Sequence, residues 1–244
     1  SKHRWYYGGN RYEHKYAARF IKKNDRVLEI GAGGGNFARL IKSHNYVGID
    51  ISKQACLRAK ANKIKVLNLS LSRFSKISGN LRAFDDVCLF QVLEHIADVH
   101  SCLQLCVSFL KKNGRLIISL PSTDSLIQDA PNNILDMPPH HLSQWPDETF
   151  KTIAKIFKLK TLHVQHEPLA VYHIKLYLKT YLFQTFKQSG RQPPSNLVKS
   201  SIWLDSLNLV SYFLGGLYII FLYPFLKITH NLPVGHTVIV VFQK

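Results

Sequence analysis

The stretch that decides the fold is VLEIGAGGGNF, residues 27–37. Its apolar start predicts a buried β-strand, which leads into a turn with glycines at positions 31, 33, 34 and 35. Glycine allows a backbone to approach a ligand closely, so this turn is a candidate binding loop. The next predicted strand, residues 46–50, ends in Asp50. Because parallel strands end at one edge of a sheet, we expect Asp50 and the glycine turn to meet there.

From residue 26 onward, short β-branched runs alternate with amphipathic stretches, a pattern typical of a parallel sheet covered by helices. The sequence therefore predicts an α/β fold. The predicted strands are residues 26–30, 46–50, 64–68, 85–90, 114–120, 160–166 and 236–243. The predicted helices are residues 11–22, 36–43, 52–62, 97–110 and 147–157.

Changes in this rhythm predict four regions along the chain. They are an N-terminal helical cap (1–25), an α/β core (26–166), a helical insertion that is apolar and basic (167–233), and the last strand of the core (234–244). The insertion interrupts the alternation of strands and helices between the last two predicted strands.

The amino-acid composition limits the classes of protein to which this chain can belong. The 244 residues are 46% hydrophobic, which is enough to bury a core and excludes a mostly disordered chain. The net charge of +17 predicts an anionic partner, and nucleic acid, an anionic membrane surface and an acidic small molecule all remain open. The cysteines form no CxxC pair, so buried free thiols in a reducing compartment are predicted, with no metal site. They are Cys56, Cys88, Cys102 and Cys106.

The spacing of the glycine turn distinguishes between two cofactor classes. A dinucleotide fingerprint, G-x-G-x-x-G, would need a third glycine where Asn36 stands. Glu29 precedes Gly31 by two residues, and the resulting E-x-G-x-G-x-G turn resembles that of the class I S-adenosylmethionine-dependent methyltransferases. Two later stretches are similar to further motifs of that family, in the same order: FDDVCLFQVLEHI, residues 84–96, and LKKNGRLIISLPS, residues 110–122.

The resemblance implies a Rossmann-like seven-stranded sheet with helices on both faces and an antiparallel last strand. It also implies S-adenosyl-L-methionine as the cofactor and S-adenosyl-L-homocysteine as the product. Asp50 would hold the ribose hydroxyls, Gln91 would pass the methionine end, and Ser70 would contact adenine where many members carry an acid. The cofactor-binding residues expected from the resemblance are Glu29, Gly31, Ala32, Gly33, Gly35, Asp50, Ile51, Ser70, Gln91 and Val92.

The loop after the fifth predicted strand reads NNILDMPPHHLSQW, residues 132–145, and should cover the methyl acceptor. Its PPHHLSQW segment is similar to one in a bacterial small-molecule subgroup of these methyltransferases. The unperturbed histidine pKa of about 6.5 suits a general base, so we predict that His141, or secondly His140, acts as base or orients the acceptor. The alternative is that both histidines cap the following helix or form hydrogen bonds within the loop. We expect His95, in the LEH turn, to make a structural hydrogen bond.

Residues 206–226 carry no formal charge and are long enough to be a transmembrane candidate. A single crossing would separate predicted strands 160–166 and 236–243, which we expect in one sheet, so the segment must return to the side it left. Three alternatives remain: association of residues 169–227 with an anionic membrane surface, a cap over the substrate, and a dimer contact. The oligomeric state is not predicted.

These observations predict an S-adenosylmethionine-dependent methyltransferase acting on a small or lipid-linked polar acceptor, at oxygen rather than nitrogen or carbon. We expect it to be cytoplasmic, with a peripheral position at the inner membrane face as an alternative. An RNA methyltransferase is a second hypothesis because of the positive charge, but no RNA-binding module is visible and nucleic acid is not an expected partner. A third is a non-catalytic membrane-surface module that retains the fold.

Overall fold

The computed structural model describes residues 11–125, 138–169, 173, 209, 210, 213, 214, 217, 221 and 234–244. Most of the predicted insertion lies outside the described residues, as do residues 1–10 of the predicted cap and residues 132–137 of the predicted acceptor loop. Within the described part of the chain, no helix is both long enough and apolar enough to cross a membrane.

Strands and helices alternate along the core as the sequence predicts. The strands are β1 (Arg26–Ile30), β2 (Asn45–Asp50), β3 (Val66–Asn68), β4 (Phe84–Phe90), β5 (Leu110–Pro121), β6 (Lys160–Pro168) and β7 (Val234–Gln243). The helices are α1 (Tyr12–Ala18), α2 (Lys53–Ala61), α3 (Leu71–Ser75), α4 (Val99–Phe109) and α5 (Glu148–Phe157), with 3₁₀ turns at Phe37–Arg39 and Leu93–His95.

The strands form one seven-stranded sheet in the order β3-β2-β1-β4-β5-β7-β6. Strands β1 to β5 pair in parallel, whereas β7 is antiparallel to both β5 and β6. This confirms the predicted Rossmann-like sheet and its antiparallel last strand. The carboxyl ends of β1, β2, β4 and β5 therefore meet at one edge, which is where ligands bind in open α/β sheets.

Apolar side chains cover both faces of the sheet, because alternate residues of a buried strand point to opposite sides. Leu28 packs in a larger cluster that includes Phe74, Phe109 and Phe150 from α3, α4 and α5. Val27 packs on the other face with Ala17 of α1 and with Phe37. The four cysteines are buried and free, as predicted.

Several local expectations differ from the structure, and helix α1 ends at Ala18 rather than at residue 22. The predicted helix over 36–43 is wrong, because only the 3₁₀ turn Phe37–Arg39 forms there. The chain has already turned back by Ser43, whose hydroxyl donates to the carbonyl of Asp25 (2.5 Å), and β2 starts two residues later. Strand β5 starts at Leu110 rather than 114, with a register shift before Arg115 and a positive φ of 63° at Asn113.

Ion pairs close the amino edge of the sheet. Arg115 donates from Nε to Asp86 Oδ1 (2.6 Å) and from Nη2 to Asp25 Oδ2 (2.7 Å). Beside them, Lys111 Nζ lies 2.7 Å from Asp85 Oδ2, which also accepts the backbone N–H of Arg26 (2.8 Å). These contacts join β1, β4 and β5 at the ends where the strands begin.

Candidate active site

The glycine turn after β1 is held tightly against its neighbours on one side and open on the other. A Cβ on Gly31 would lie 2.5 Å from Val92 Cγ2, and one on Gly35 would lie 2.6 Å from Ile64 Cγ2, so both positions exclude a side chain. Both have positive φ, 72° and 76°. By contrast, a Cβ on Gly33 or Gly34 would meet nothing within 4 Å. The turn therefore leaves open space where a ligand can approach the backbone.

Asp50 joins the glycine turn, as the sequence predicts. Its Oδ2 accepts the backbone N–H of Gly33 (2.8 Å) and its Oδ1 accepts that of Ser52 (2.7 Å). Each carboxylate oxygen has two lone pairs, so each can still accept a hydrogen bond from a ligand hydroxyl. The next residue, Ile51, is 82% exposed and gives the site an apolar rim.

Glu29 lies in β1 behind the glycine turn, where it is 3% exposed. The Tyr46 hydroxyl donates to its Oε2. Burial raises the pKa of Glu29 to about 8, with a further increase from the charge of Asp50, while the Tyr46 hydrogen bond acts in the opposite direction. Glu29 is therefore mostly protonated at neutral pH.

Sequence reasoning missed Tyr46, although a signal was present. Tyr46 and Gly48 alternate along β2, and Glu29 pairs with Gly48 in the register of β1 and β2. A Cβ on Gly48 would lie 2.8 Å from the Tyr46 hydroxyl, so the glycine provides the space in which the tyrosine reaches Glu29.

Gln91 follows β4 directly and has a positive φ of 55°. Its backbone N–H donates to the carbonyl of Ser119 in β5 (2.9 Å). Its side-chain Nε2 is buried and has no hydrogen-bond partner among the described residues. Because Val92 packs on Gly31, this amide donor belongs to the turn that adjoins the glycine loop, and a carboxylate or carbonyl oxygen of a ligand would satisfy it.

Ser70 caps α3, with its Oγ accepting the backbone N–H of Arg73 (3.3 Å). Its contact with adenine stays a prediction. Asn68, two residues before Ser70, contacts the site through Asp50, because its Nδ2 donates a hydrogen bond to the Asp50 carbonyl oxygen (3.0 Å).

Helix α1 packs on the face of the sheet that also buries Phe37 and Phe90, and it carries His14, which was not predicted as a site residue. The ring of His14 contacts Phe90 at 4.7 Å and Phe37 at 5.6 Å between centroids. Burial lowers the pKa of His14 to about 3, so this ring is neutral at physiological pH. His14 is therefore an apolar packing element beside the end of β4.

Two hydrogen bonds join the LEH turn to the PPHHL segment. His95 Nδ1 donates to the carbonyl of His140 (2.7 Å), and the backbone N–H of Leu142 donates to the carbonyl of Glu94 (2.7 Å). His141 lies between these two anchors and is 7% exposed. The structural hydrogen bond expected of His95 is confirmed. Helix α5 begins at Glu148, seven residues beyond His141, so neither His140 nor His141 caps it.

The same contacts gather three imidazole rings. The ring centroid of His95 lies 5.1 Å from that of His140 and 5.0 Å from that of His141. The rings of His140 and His141 stack on each other, with 4.8 Å between their centroids. Sequence reasoning treated His95 separately. The order of the strands could have linked them, because β4 and β5 are adjacent parallel strands and the segments that follow them meet at one edge of the sheet.

Comparison with known proteins agrees with this geometry. A family model described as a methyltransferase domain matches residues 4–189. The chain belongs to this methyltransferase family. The predicted family is therefore confirmed, and the fold and the glycine turn are those expected of a class I S-adenosylmethionine-dependent methyltransferase.

The methyltransferase is similar to a ubiquinone biosynthesis O-methyltransferase of Glaesserella parasuis serovar 5, with 31% identity over 104 residues, 38% of this chain and 44% of that relative. The chain spans less than half the length of the curated relatives it matches.

Solved structures share the fold. One is a SAM-dependent methyltransferase from Archaeoglobus fulgidus, with TM-score 0.62 and 19% identity, covering 100% of this chain and 98% of that one. Another is phosphoethanolamine N-methyltransferase 2 of Haemonchus contortus in complex with S-adenosyl-L-methionine, with TM-score 0.57 and 17% identity, covering 99% and 56%.

Proposed function

We propose that this methyltransferase moves a methyl group from S-adenosyl-L-methionine to the oxygen of a small or lipid-linked polar acceptor. The observation that carries the proposal is the joining of Asp50 to the open glycine turn through Gly33. Membership of the methyltransferase family supports the reaction class. The named O-methyltransferase relative supports oxygen as the acceptor atom.

In this proposal the chain's own groups bind and orient the cofactor. Asp50 accepts hydrogen bonds from the ribose hydroxyls through the lone pairs that Gly33 and Ser52 leave available. Gln91 Nε2 donates to the carboxylate of the methionine moiety. Ile51 follows β2 and Ser70 follows β3, two strands that pair at Asp50 and Asn68, and both residues border the adenine. The remaining lining comes from Glu29, Gly31, Ala32, Gly35 and Val92.

The bound cofactor supplies a methyl group on a positively charged sulfur. An acceptor oxygen attacks that carbon in line, so the O–CH₃ bond forms as the S–CH₃ bond breaks, leaving S-adenosyl-L-homocysteine and one proton. We assign the orientation of the acceptor hydroxyl, and the handling of its proton, to His141 with His140 beside it. The support is position: two hydrogen bonds to the LEH turn fix this segment next to the Val92 end of the cofactor site.

Calorimetric titration with S-adenosyl-L-methionine and S-adenosyl-L-homocysteine tests the cofactor site. We expect micromolar binding, and we expect Asp50→Ala to weaken it at least about tenfold because two charge-assisted hydrogen bonds are lost. The matched control is Glu148→Ala, which removes an exposed acid whose contact is with Lys151 on the same helix. Equal affinity in Asp50→Ala and wild type, or no binding by folded protein, would contradict the proposal.

Methyl transfer to a panel of soluble and lipid-linked phenols and alcohols tests the acceptor. We expect O-methyl products, and His141→Ala should lower turnover at unchanged cofactor affinity. Full turnover by His141→Ala would remove the role given to this residue. N-methylation, or salt-sensitive methylation of RNA, would contradict the acceptor class.

We also propose that the predicted insertion contacts an anionic membrane surface through residues 169–227, which places the enzyme at the inner face of a membrane. Helical residues spaced three or four apart expose large apolar side chains in this segment. They are Leu209, Val210, Phe213, Leu214, Leu217 and Phe221. An exposed apolar stripe on a chain of net charge +17 suits the boundary between lipid headgroups and acyl chains.

Sedimentation with vesicles containing phosphatidylglycerol, at low salt, tests the membrane contact. We expect the wild type to sediment and the double variant Phe213→Glu, Phe221→Glu to remain in solution. Leu57→Glu is the control because Leu57 is an exposed leucine of α2, outside this segment. Failure of the wild type to sediment would contradict the membrane contact and leave the cofactor site untouched.

A further inference from the structure

The three histidines at the acceptor side bring nitrogen donors together as a metal site does. One ring nitrogen from each of His95, His140 and His141 lies within 4.8 Å of the other two. Neutral imidazole nitrogen is the commonest protein ligand for transition metals. A zinc ion bound at about 2.0–2.1 Å in tetrahedral geometry holds its nitrogens about 3.4 Å apart. A modest rotation of the two exposed rings would therefore close the cluster onto an ion.

The hydrogen bond of His95 defines which of its nitrogens is available. The carbonyl of His140 can only accept, so Nδ1 of His95 carries the proton (2.7 Å) and Nε2 carries the lone pair. Metal-ligating histidines typically donate their other ring N–H to a carbonyl or a carboxylate, which fixes ring orientation. His95 is thus held in the tautomer that leaves Nε2 able to bind a metal ion.

An acidic side chain lies beside the cluster. Glu94 is 1% exposed, and its Oε1 lies 3.9 Å from His95 Nε2. The backbone carbonyl of the same residue accepts the N–H of Leu142, which ties the segment carrying His140 and His141 to this acid. A divalent ion would therefore lie among three neutral nitrogens with a buried carboxyl group beside them.

We propose that His95, His140 and His141 form a binding site for a divalent transition metal ion of the Zn²⁺ type. Nitrogen ligands select Zn²⁺, Co²⁺, Ni²⁺ or Fe²⁺ over Mg²⁺ and Ca²⁺, which prefer oxygen. Three protein ligands leave a fourth position open, the arrangement that metal sites use when they act on a bound molecule rather than only on the fold.

The role of the ion rests on the proposed function. The 3₁₀ turn Leu93–His95 follows Val92, which packs on Gly31, so the cluster adjoins the end of the cofactor site to which the proposed function assigns the acceptor. A hydroxyl group of the acceptor that binds the ion loses its proton to water more easily, because the cation stabilises the oxygen anion. That oxygen then attacks the methyl carbon. In this arrangement His141 binds the ion, and the ion promotes loss of the hydroxyl proton.

Metal binding is measurable without any acceptor. The 244-residue chain is stripped with a chelator, then titrated with Zn²⁺ by calorimetry and with Co²⁺ by visible absorption. We expect one ion per chain, a Co²⁺ spectrum typical of tetrahedral coordination, and no response to Mg²⁺. His95→Ala and His141→Ala should each weaken Zn²⁺ binding at least about tenfold. His44→Ala is the control, because His44 is an exposed histidine outside the cluster.

The outcomes separate this inference from the proposed function. Absence of saturable Zn²⁺ binding, or equal binding in all three variants, overturns the metal site. Methyl transfer that persists in the stripped enzyme overturns the role of the ion and leaves the methyltransferase proposal standing. Zn²⁺ binding that depends on His95 and His141, in a chain that does not bind S-adenosyl-L-methionine, supports the metal site and contradicts the proposed function.

Discussion

The two edges of the sheet are built from the same strands but to opposite requirements. At the amino edge, Arg115 satisfies Asp25 and Asp86 at 2.6–2.7 Å, and Lys111 pairs with Asp85. At the carboxyl edge, the glycine turn faces open space, and a buried amide donor of Gln91 has no partner among the described residues. The difference indicates that one edge secures the fold and the other is prepared for a ligand.

The largest expected change in stability comes from removing the ion pairs at the amino edge. Arg115→Ala leaves Asp86, which is fully buried, without its counter-ion. Removing one partner of a buried ion pair costs about 3–5 kcal/mol, which urea unfolding measures directly. Cofactor affinity of the molecules that remain folded should not change. A loss of affinity without a loss of stability would contradict the separation of the two edges.

The pH dependence of stability sharpens the description of the carboxyl edge. The folded pKa of Glu29 is about 8 and exceeds its ordinary value, so the folded state binds more protons, and stability falls as pH rises from about 4.5 to about 8. The glutamine in Glu29→Gln cannot ionise, so the fall in the free energy of unfolding between low and high pH should be smaller than in the wild type by about 2–4 kcal/mol. Urea unfolding at pH 5 and pH 8 provides the comparison. Parallel pH profiles for the two proteins would contradict a protonated Glu29.

A smaller effect is expected from adding a side chain at the closely packed position of the glycine turn. Gly31→Ala forces a side chain into a positive φ of 72° and towards Val92 at 2.5 Å, which should cost about 2 kcal/mol and weaken cofactor binding about tenfold or more. Gly34→Ala is the matched control for stability, since its Cβ would meet nothing within 4 Å. Thermal unfolding and calorimetry measure the two effects. Equal stability of both variants would contradict the close packing of Gly31 on Val92.

Local sequence patterns were enough to predict the parts of the site that are contiguous in the chain. The glycines and the acid at the end of β2 are such features, because a strand followed by a turn fixes its geometry within a few residues. The pattern failed over 36–43, where apolar spacing predicted a helix but the early return to β2, anchored at Ser43, leaves room only for Phe37–Arg39.

The parts that were not predicted depend on contacts between distant segments. His95 meets His140 across 45 residues of sequence, which requires β4 and β5 to be neighbours in the sheet. Tyr46 reaches Glu29 only because the register of β1 and β2 places Gly48 opposite that acid. Spacing within one segment shows which residues share a face, but only the order and register of the strands show which distant residue they meet.

Hydrogen exchange with and without S-adenosyl-L-methionine tests the division of the sheet most directly. The proposal predicts slower exchange for backbone amides of residues 31–35, Ser52 and Gln91 when the cofactor is added, and no change for residues 110–115. Asp50→Ala should lose this protection. Protection at the amino edge, or none at the glycine turn in a chain that binds the cofactor, would contradict the assignment of the carboxyl edge as the active site.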